Sequence, residues 1–247
     1  FSQINILAWD DTLDLLAKRI RVLFRLARDT PYTLKDGSQK SKFVNFDMEE
    51  YRDLALTVAV FKQVLDEPEF HHFSAGIVLQ SYIPDSFLYQ KDLTEWALQR
   101  KSRGGAPIKI RIVKGANLAM EKIEASMRGW PQAPFHNKWE SDANFKRMMV
   151  YGCNPHNASA VHLGIASHNL FDLAFGLVLR AENNLEDEIQ FEMLEGMAPH
   201  MSRSVKSVSQ ELLLYSPAVE QKDFQTDVAY LMRRLDENTR SEERRVG

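Results

Sequence analysis

The chain has 247 residues, a formal charge of −3, 44% hydrophobic and 26% charged residues, which is the make-up of an ordinary soluble domain able to bury a sizeable core. The acidic balance, with no basic stripe, excludes nucleic acid as the main partner, and Cys153 as the single cysteine excludes a disulfide framework or a cysteine-based zinc site. No apolar run reaches the length of a membrane span and no signal peptide opens the chain.

The start at Phe1 reads as the middle of a longer protein. From residue 9 to 28, Leu13, Leu16, Ile20, Leu23 and Leu26 recur at helical spacing, with Asp10 or Asp11 able to cap. A strand-like run at 43–48 precedes a helix over 49–65, and a run at 76–82 precedes a helix over 88–101. Gly104-Gly105-Ala106-Pro107 is a turn before a third run at 108–116, which a helix over 144–151 follows. Runs at 161–168, 189–196 and 211–217 come next, with helices over 170–183 and 223–238. Trp130-Pro131 and Pro134-Phe135-His136 read as a loop. Residues 240–247, RSEERRVG, match a translated sequencing adapter and are expected to be a non-native or disordered tail outside a domain of residues 1–239.

Strands alternating with helices predict an α/β fold with a parallel sheet. Strand parity then chooses the architecture. One face is apolar throughout: Val44 and Phe46, Ile77 and Leu79, Ile108, Ile110 and Ile112, Val161, Leu163 and Ile165, Ile189, Phe191 and Met193, Leu212 and Leu214. The other carries Asn45 and Asp47, Gln80 and Tyr82, Lys109 and Arg111, His162 and His168, Gln190 and Glu192, and Tyr215. A doubly wound sheet, covered on both faces, has near-continuous apolar strands. A (βα)8 barrel tolerates inward polar residues toward the C-terminal mouth, where its active sites lie. The prediction is a truncated TIM-like barrel with about six of eight strands present.

Parity brings Asp47, Gln80, Arg111, His168 and Tyr215 to one cavity, with Arg233-Arg234 above it on the helix after the last strand. Two adjacent arginines offer forked, permanent charges suited to a small carboxylate. No nucleophile stands beside an activating base, so a redox cofactor would have to supply the chemistry. On the residues alone, Asp47 reads first as a strand end or helix cap, Arg111 equally as half of a structural ion pair, and His168-Asn169 as core and cap. His71-His72 lacks metal-ligand spacing, and Glu49-Glu50 read as first-turn glutamates facing a helix dipole.

Four segments carry a resemblance: Val44-Asn45-Phe46-Asp47-Met48-Glu49-Glu50-Tyr51, Ile110-Arg111-Ile112-Val113-Lys114-Gly115-Ala116, Phe191-Glu192-Met193-Leu194-Glu195-Gly196-Met197 and residues 230–238. In this order, from about Ile4 to Thr239, they resemble the proline dehydrogenase family, most closely the barrel of the bacterial bifunctional proline utilisation A flavoenzymes. The resemblance implies a (βα)8 barrel holding FAD, oxidation of L-proline to Δ1-pyrroline-5-carboxylate, and electrons passed to a quinone. It also implies a cytoplasmic parent, peripheral to the inner face of the membrane, with a fused aldehyde dehydrogenase domain. By the same resemblance Arg233, Arg234 and Tyr230 would bind substrate and Tyr215 would pack over the proline ring. Arg111 would sit beside the flavin N5 and Asp47 near the substrate, while Met48, Gln80, Lys114, Gly115, Ala116, Ser167 and His168 would contact the flavin. Gly115, without a Cβ, suits a close approach to a ligand.

Two departures stand out. Asn117-Leu118 replaces the Tyr-Trp of many relatives, which implies a different cavity lining. The family's second strand supplies a substrate-pairing lysine, and this chain opens after that strand, so the fragment is expected to be inactive or poorly folded, with open sheet edges. Another flavin barrel and a non-catalytic barrel remnant are the alternatives. The paired arginines argue against the first, and unaltered function on replacing Arg233 and Arg111 would favour the second.

Overall fold

A computed structural model describes residues 8–216 together with Glu220 and Val228. The expected helix over 223–238, the tail at 240–247 and the candidate residues Tyr230, Arg233 and Arg234 lie outside the described residues.

Helix α1 (Trp9–Asp29) leads into a short antiparallel ribbon, β1 (Tyr32–Thr33) and β2 (Gln39–Lys40). Strand β3 (Val44–Phe46) is followed by a 3-10 turn at Tyr51–Asp53, α2 (Leu54–Leu65), β4 (Ala75–Gln80) and α3 (Ser86–Ser102). Next come β5 (Ile108–Val113), α4 (Leu118–Arg128), α5 (Lys138–Gly152) and α6 (Pro155–Ala158). The chain continues through β6 (Val161–Ala166), α7 (Leu170–Asn183), β7 (Ile189–Leu194), α8 (Pro199–Ser209) and β8 (Leu212–Tyr215). Strands β3 to β8 pair in sequence order, all parallel, as one curled six-stranded sheet surrounded by helices. This is the part-barrel that strand parity predicts.

Over β4 to β7 the predicted apolar face is the one the helices cover, whereas on β8 Leu212 is half-buried and Leu214 is exposed. Ile77, Leu79, Ile110, Ile112, Leu163, Ile165 and Phe191 are fully buried, and burial of side chains of this size contributes about 1.5–3 kcal/mol each. In α1 the buried stripe runs through Leu16, Ala17, Ile20, Phe24 and Ala27, while Leu23 and Leu26 are exposed. The stripe is thus rotated from the leucine pattern because Phe24 packs edge-on against Phe46 and Phe70 and defines the inner face. Asp10 and Asp11 do not cap this helix. The cap position is Ala8, and the two carboxylates stand in the first turn, where they favour the helix dipole.

The helix expected over 49–65 begins late. Glu50 is extended, the 3-10 turn intervenes, and Asp53 holds the cap position of α2. Glu49 and Glu50 are therefore not first-turn residues, and Glu50 instead pairs with Arg52 at 2.8 Å. Asp47 caps nothing. Helices α4 and α8 fall where no element was expected. α5 starts well before residue 144, at a capping box in which Asn137 and Glu140 satisfy each other's backbone N–H groups.

Arg100 is fully buried without a carboxylate partner among the described residues. Its guanidinium donates instead to the carbonyls of Leu65, Ala106, Phe70, His71 and Phe73, the last three at 2.7, 2.7 and 3.2 Å from Nη2. The end of α2, the entry to β4 and the turn before β5 are thereby tied to one side chain.

Candidate active site

The inner face of β5–β7 carries buried charge. Glu192, on β7, is fully buried and forms ion pairs with Lys109 Nζ at 2.5 Å and Arg111 Nε at 3.2 Å, both from β5, by charge proximity and not in hydrogen-bond geometry. Strand β6 lies between them, and its residue level with Arg111 is Gly164. A Cβ on Gly164 would stand 2.2 Å from Glu192 Oε1 and 2.9 Å from Lys109 Cε. The missing side chain is the space through which the charges meet. Lys109 also donates to Gln190 Oε1 at 2.6 Å.

Arg111 reaches the C-terminal rim of the sheet, where its guanidinium carbon lies 3.9 Å from the centre of the Tyr215 ring. This is cation–π packing over the end of the last strand. Asp47 stands farther off, 3.9 Å from Arg111 Nη1 and with 60% of its side chain exposed, so their attraction is weak. Burial and the neighbouring Glu192 carboxylate push the Tyr215 phenol up to about 12, against the opposing pull of Arg111. Of the five residues expected at one cavity, Arg111, Tyr215 and Asp47 therefore meet at one point.

Gln80 and His168 stand at the ends of β4 and β6, each with one polar atom engaged and one left over. Gln80 Nε2 donates to Met48 O at 2.8 Å, and Asn117 Nδ2 donates to Glu49 O at 3.3 Å. Together they hold the loop after β3 and keep Met48 buried. The Asn117 of the departing Asn-Leu pair is thus a clamp on this loop. His168 Nε2 accepts from the Leu194 backbone N–H at 3.2 Å, which puts the proton of the neutral ring on Nδ1. Burial lowers its pKa and favours that neutral form. Gln80 Oε1 and His168 Nδ1 are both buried without a hydrogen-bond partner among the described residues, an expensive arrangement that a polar ligand would relieve.

Lys114 and Ser167 converge on one carboxylate. Lys114 Nζ lies 2.8 Å from Asp172 and 2.6 Å from Asp142, and Ser167 Oγ donates to Asp172 at 3.2 Å. Burial pulls the Lys114 pKa down, but hydrogen bonds to Asp142 and Asp172 outweigh it and hold the ammonium above its usual range. Gly115 has φ +121°, in the region that favours glycine, and its Cβ position lies 1.9 Å from the Tyr82 ring. The close approach it permits within the chain is made by Tyr82. Ala116 follows in the same loop after β5, half-buried.

Sequence reasoning put Lys109 and Glu192 on the inner face but gave them no role, and it passed over Gly164, Asp142 and Asp172. The available signal was Gly164 itself, an absent side chain between charged inward positions on both flanking strands. None of the described helices is long and apolar enough to cross a membrane, and no group of metal-ligating side chains occurs among the described residues.

The chain has known relatives. The chain matches the proline dehydrogenase family over residues 4–245, a span that includes Tyr230, Arg233 and Arg234. A comparison with curated proteins gave no match. Among solved structures, proline utilisation A from Corynebacterium freiburgense is 45% identical, with a TM-score of 0.88 over 98% of this chain and 24% of that one. The N-propargylglycine-inactivated protein from Bdellovibrio bacteriovorus is 37% identical, with a TM-score of 0.85 over 97% of this chain and 23% of that one. The Bradyrhizobium japonicum protein, at 21% identity and a TM-score of 0.77, shares the fold over 94% of this chain and 22% of its own. The chain therefore spans about a quarter of the length of the proteins it matches. It belongs to the proline dehydrogenase family.

Proposed function

We propose that the protein carrying this chain oxidises L-proline to Δ1-pyrroline-5-carboxylate with FAD and passes the electrons to a quinone. The observation that carries this reading is Arg111, a permanent cation held between buried Glu192 and the Tyr215 ring at the sheet's C-terminal rim. Such a group suits a reaction in which negative charge develops on a cofactor during reduction. Gln80 Oε1 and His168 Nδ1 fit the hydrogen-bonding edge of a planar polar cofactor. FAD would supply a two-electron acceptor for the hydride leaving the ring carbon next to the proline nitrogen. The amine proton leaves as that carbon and the nitrogen form their double bond.

In this reading Met48, Gln80, Arg111, Lys114, Gly115, Ala116, Ser167 and His168 hold the cofactor. Lys114 is already balanced by Asp142 and Asp172, so it adds no net positive charge toward a pyrophosphate. Tyr215 packs against the substrate ring, Asp47 orders hydrogen bonds near it, and Arg233 and Arg234 clamp its carboxylate with Tyr230 beside them. A cytoplasmic protein working at the inner face of the membrane, with a fused aldehyde dehydrogenase domain to consume the product, completes the proposal.

The test is the visible spectrum of the full-length protein before and after anaerobic L-proline. The flavin bands are expected to bleach. A flavin-loaded protein whose bands persist would overturn proline as substrate, and a folded protein that takes up no FAD would overturn the cofactor.

A further inference from the structure

We propose that Glu192 is a positioning residue of this site: reaching from β7 across Gly164, it fixes Arg111 on β5 and so sets how Arg111 meets Tyr215. The kinetic part rests on the role given to Arg111 above; the placement itself does not.

Neighbouring strands stand about 4.8 Å apart, so β5 and β7 are separated by roughly 10 Å across β6. Side chains bridge that distance only if the inward position between them is empty. Gly164 provides the opening, since any Cβ there would collide with Glu192 Oε1 at 2.2 Å. The two cations depend on Glu192 unequally. Lys109 has a second partner in Gln190 at 2.6 Å, whereas the next acidic group near Arg111 is the exposed Asp47 at 3.9 Å from Nη1. Glu192 is fully buried, so its pull on Arg111 Nε is little screened by solvent. With Nε attracted from within the sheet, the guanidinium carbon lies over the Tyr215 ring. The Tyr215 phenol feels the same carboxylate, which makes it a reporter of the arrangement.

Three variants of the full-length protein test the idea. Glu192→Gln keeps the shape and removes the charge, Gly164→Ala keeps every charge and blocks the bridge, and Lys109→Met leaves the Glu192–Arg111 pair intact. Both of the first two are expected to lower kcat for proline about 100-fold with KM changed by no more than about threefold, the signature of a lost transition-state contact. Lys109→Met is expected to keep kcat within about threefold.

A second readout needs neither cofactor nor turnover. Ring-labelled tyrosine NMR of the FAD-free protein, assigned with Tyr215→Phe, should show the Tyr215 titration moving down from its raised value in Glu192→Gln and staying in place in Lys109→Met. A folded Glu192→Gln protein with near-normal kcat and an unmoved Tyr215 titration would overturn the proposal. If Glu192→Gln does not fold, Gly164→Ala and the double variant Lys109→Met/Glu192→Gln, which removes one cation with the anion, decide: normal kcat in either would overturn it. Should the wild type fail to bleach with proline, the kinetic arm falls with the reading above, while the titration still tests the placement.

Discussion

Arg100 and Arg111 are both arginines held within the sheet-and-helix body, and they are held in opposite ways. Arg100 donates to five backbone carbonyls and is paired with no carboxylate among the described residues. Arg111 has two carboxylates and an aromatic ring beside it, and among the described residues its guanidinium donates to no backbone carbonyl. In Arg100 the donors all serve the polypeptide, so the charge fastens loops and has nothing to offer a ligand. In Arg111 the charge is balanced from one side while its guanidinium carbon lies over Tyr215 at the rim. Burial alone does not mark a functional cation; what its donors are committed to does.

Replacing each arginine by methionine separates the two kinds of holding. Arg100→Met removes the donor from several buried carbonyls at about 1–3 kcal/mol each, so roughly 5 kcal/mol of stability is expected to go. Denaturant titration should show it as a large fall in the unfolding midpoint, and an unchanged midpoint would refute the fastening role. Arg111→Met leaves Glu192 paired with Lys109, so the fold should tolerate it. The loss is instead expected in kcat for proline, about 10²–10³-fold, or roughly 3–4 kcal/mol of barrier. A Met variant at Arg111 that loses stability and keeps turnover would merge the two cases.

The contrast was only partly legible in the sequence. Alternation in β5 puts Lys109 and Arg111 inward while Ile108, Ile110 and Ile112 are buried beneath helices, because a side-chain period of two fixes both faces at once. Arg100 sits in the last turn of α3 among Gln99, Lys101 and Ser102, a context that looks like a solvated helix end. Its burial depends on where Leu65 and Phe70 come to lie, a tertiary fact. Helix α4 shows the converse: Met120, Ile123 and Met127 recur at helical spacing and so were a legible helix signal, but they are exposed and only Ala125 is buried, which the sequence does not reveal. The Asn137–Glu140 capping box was likewise present and passed over.

Gly115 sharpens the comparison from the backbone side, because it too serves the polypeptide. Gly115→Ala forces a Cβ to 1.9 Å from the Tyr82 ring at a φ of +121°. The expected cost is about 1–3 kcal/mol, roughly 2–12 °C in thermal midpoint. The loop that carries Lys114 and Ala116 should shift with it and weaken FAD uptake, measured by titration of the FAD-free protein. Normal stability in this variant would mean that Tyr82 moves aside freely.

The smallest effect concerns protons. Tyr215 has its pKa raised to about 12 by burial and by Glu192, with Arg111 pulling it down. An unfolded tyrosine ionises near 10, so between these values the unfolded state binds fewer protons than the native one. Stability is then complete below about pH 10 and declines as pH rises through about 12. Tyr215→Phe should remove that part of the alkaline decline. Arg111→Met should raise the Tyr215 pKa further, since it deletes the one opposing charge, whereas Arg100→Met should leave the titration of Tyr215 where it is. A Tyr215 titration that responds to neither arginine would mean that the cation–π contact is not maintained in solution, and Arg111 would then lose the feature that sets it apart from Arg100.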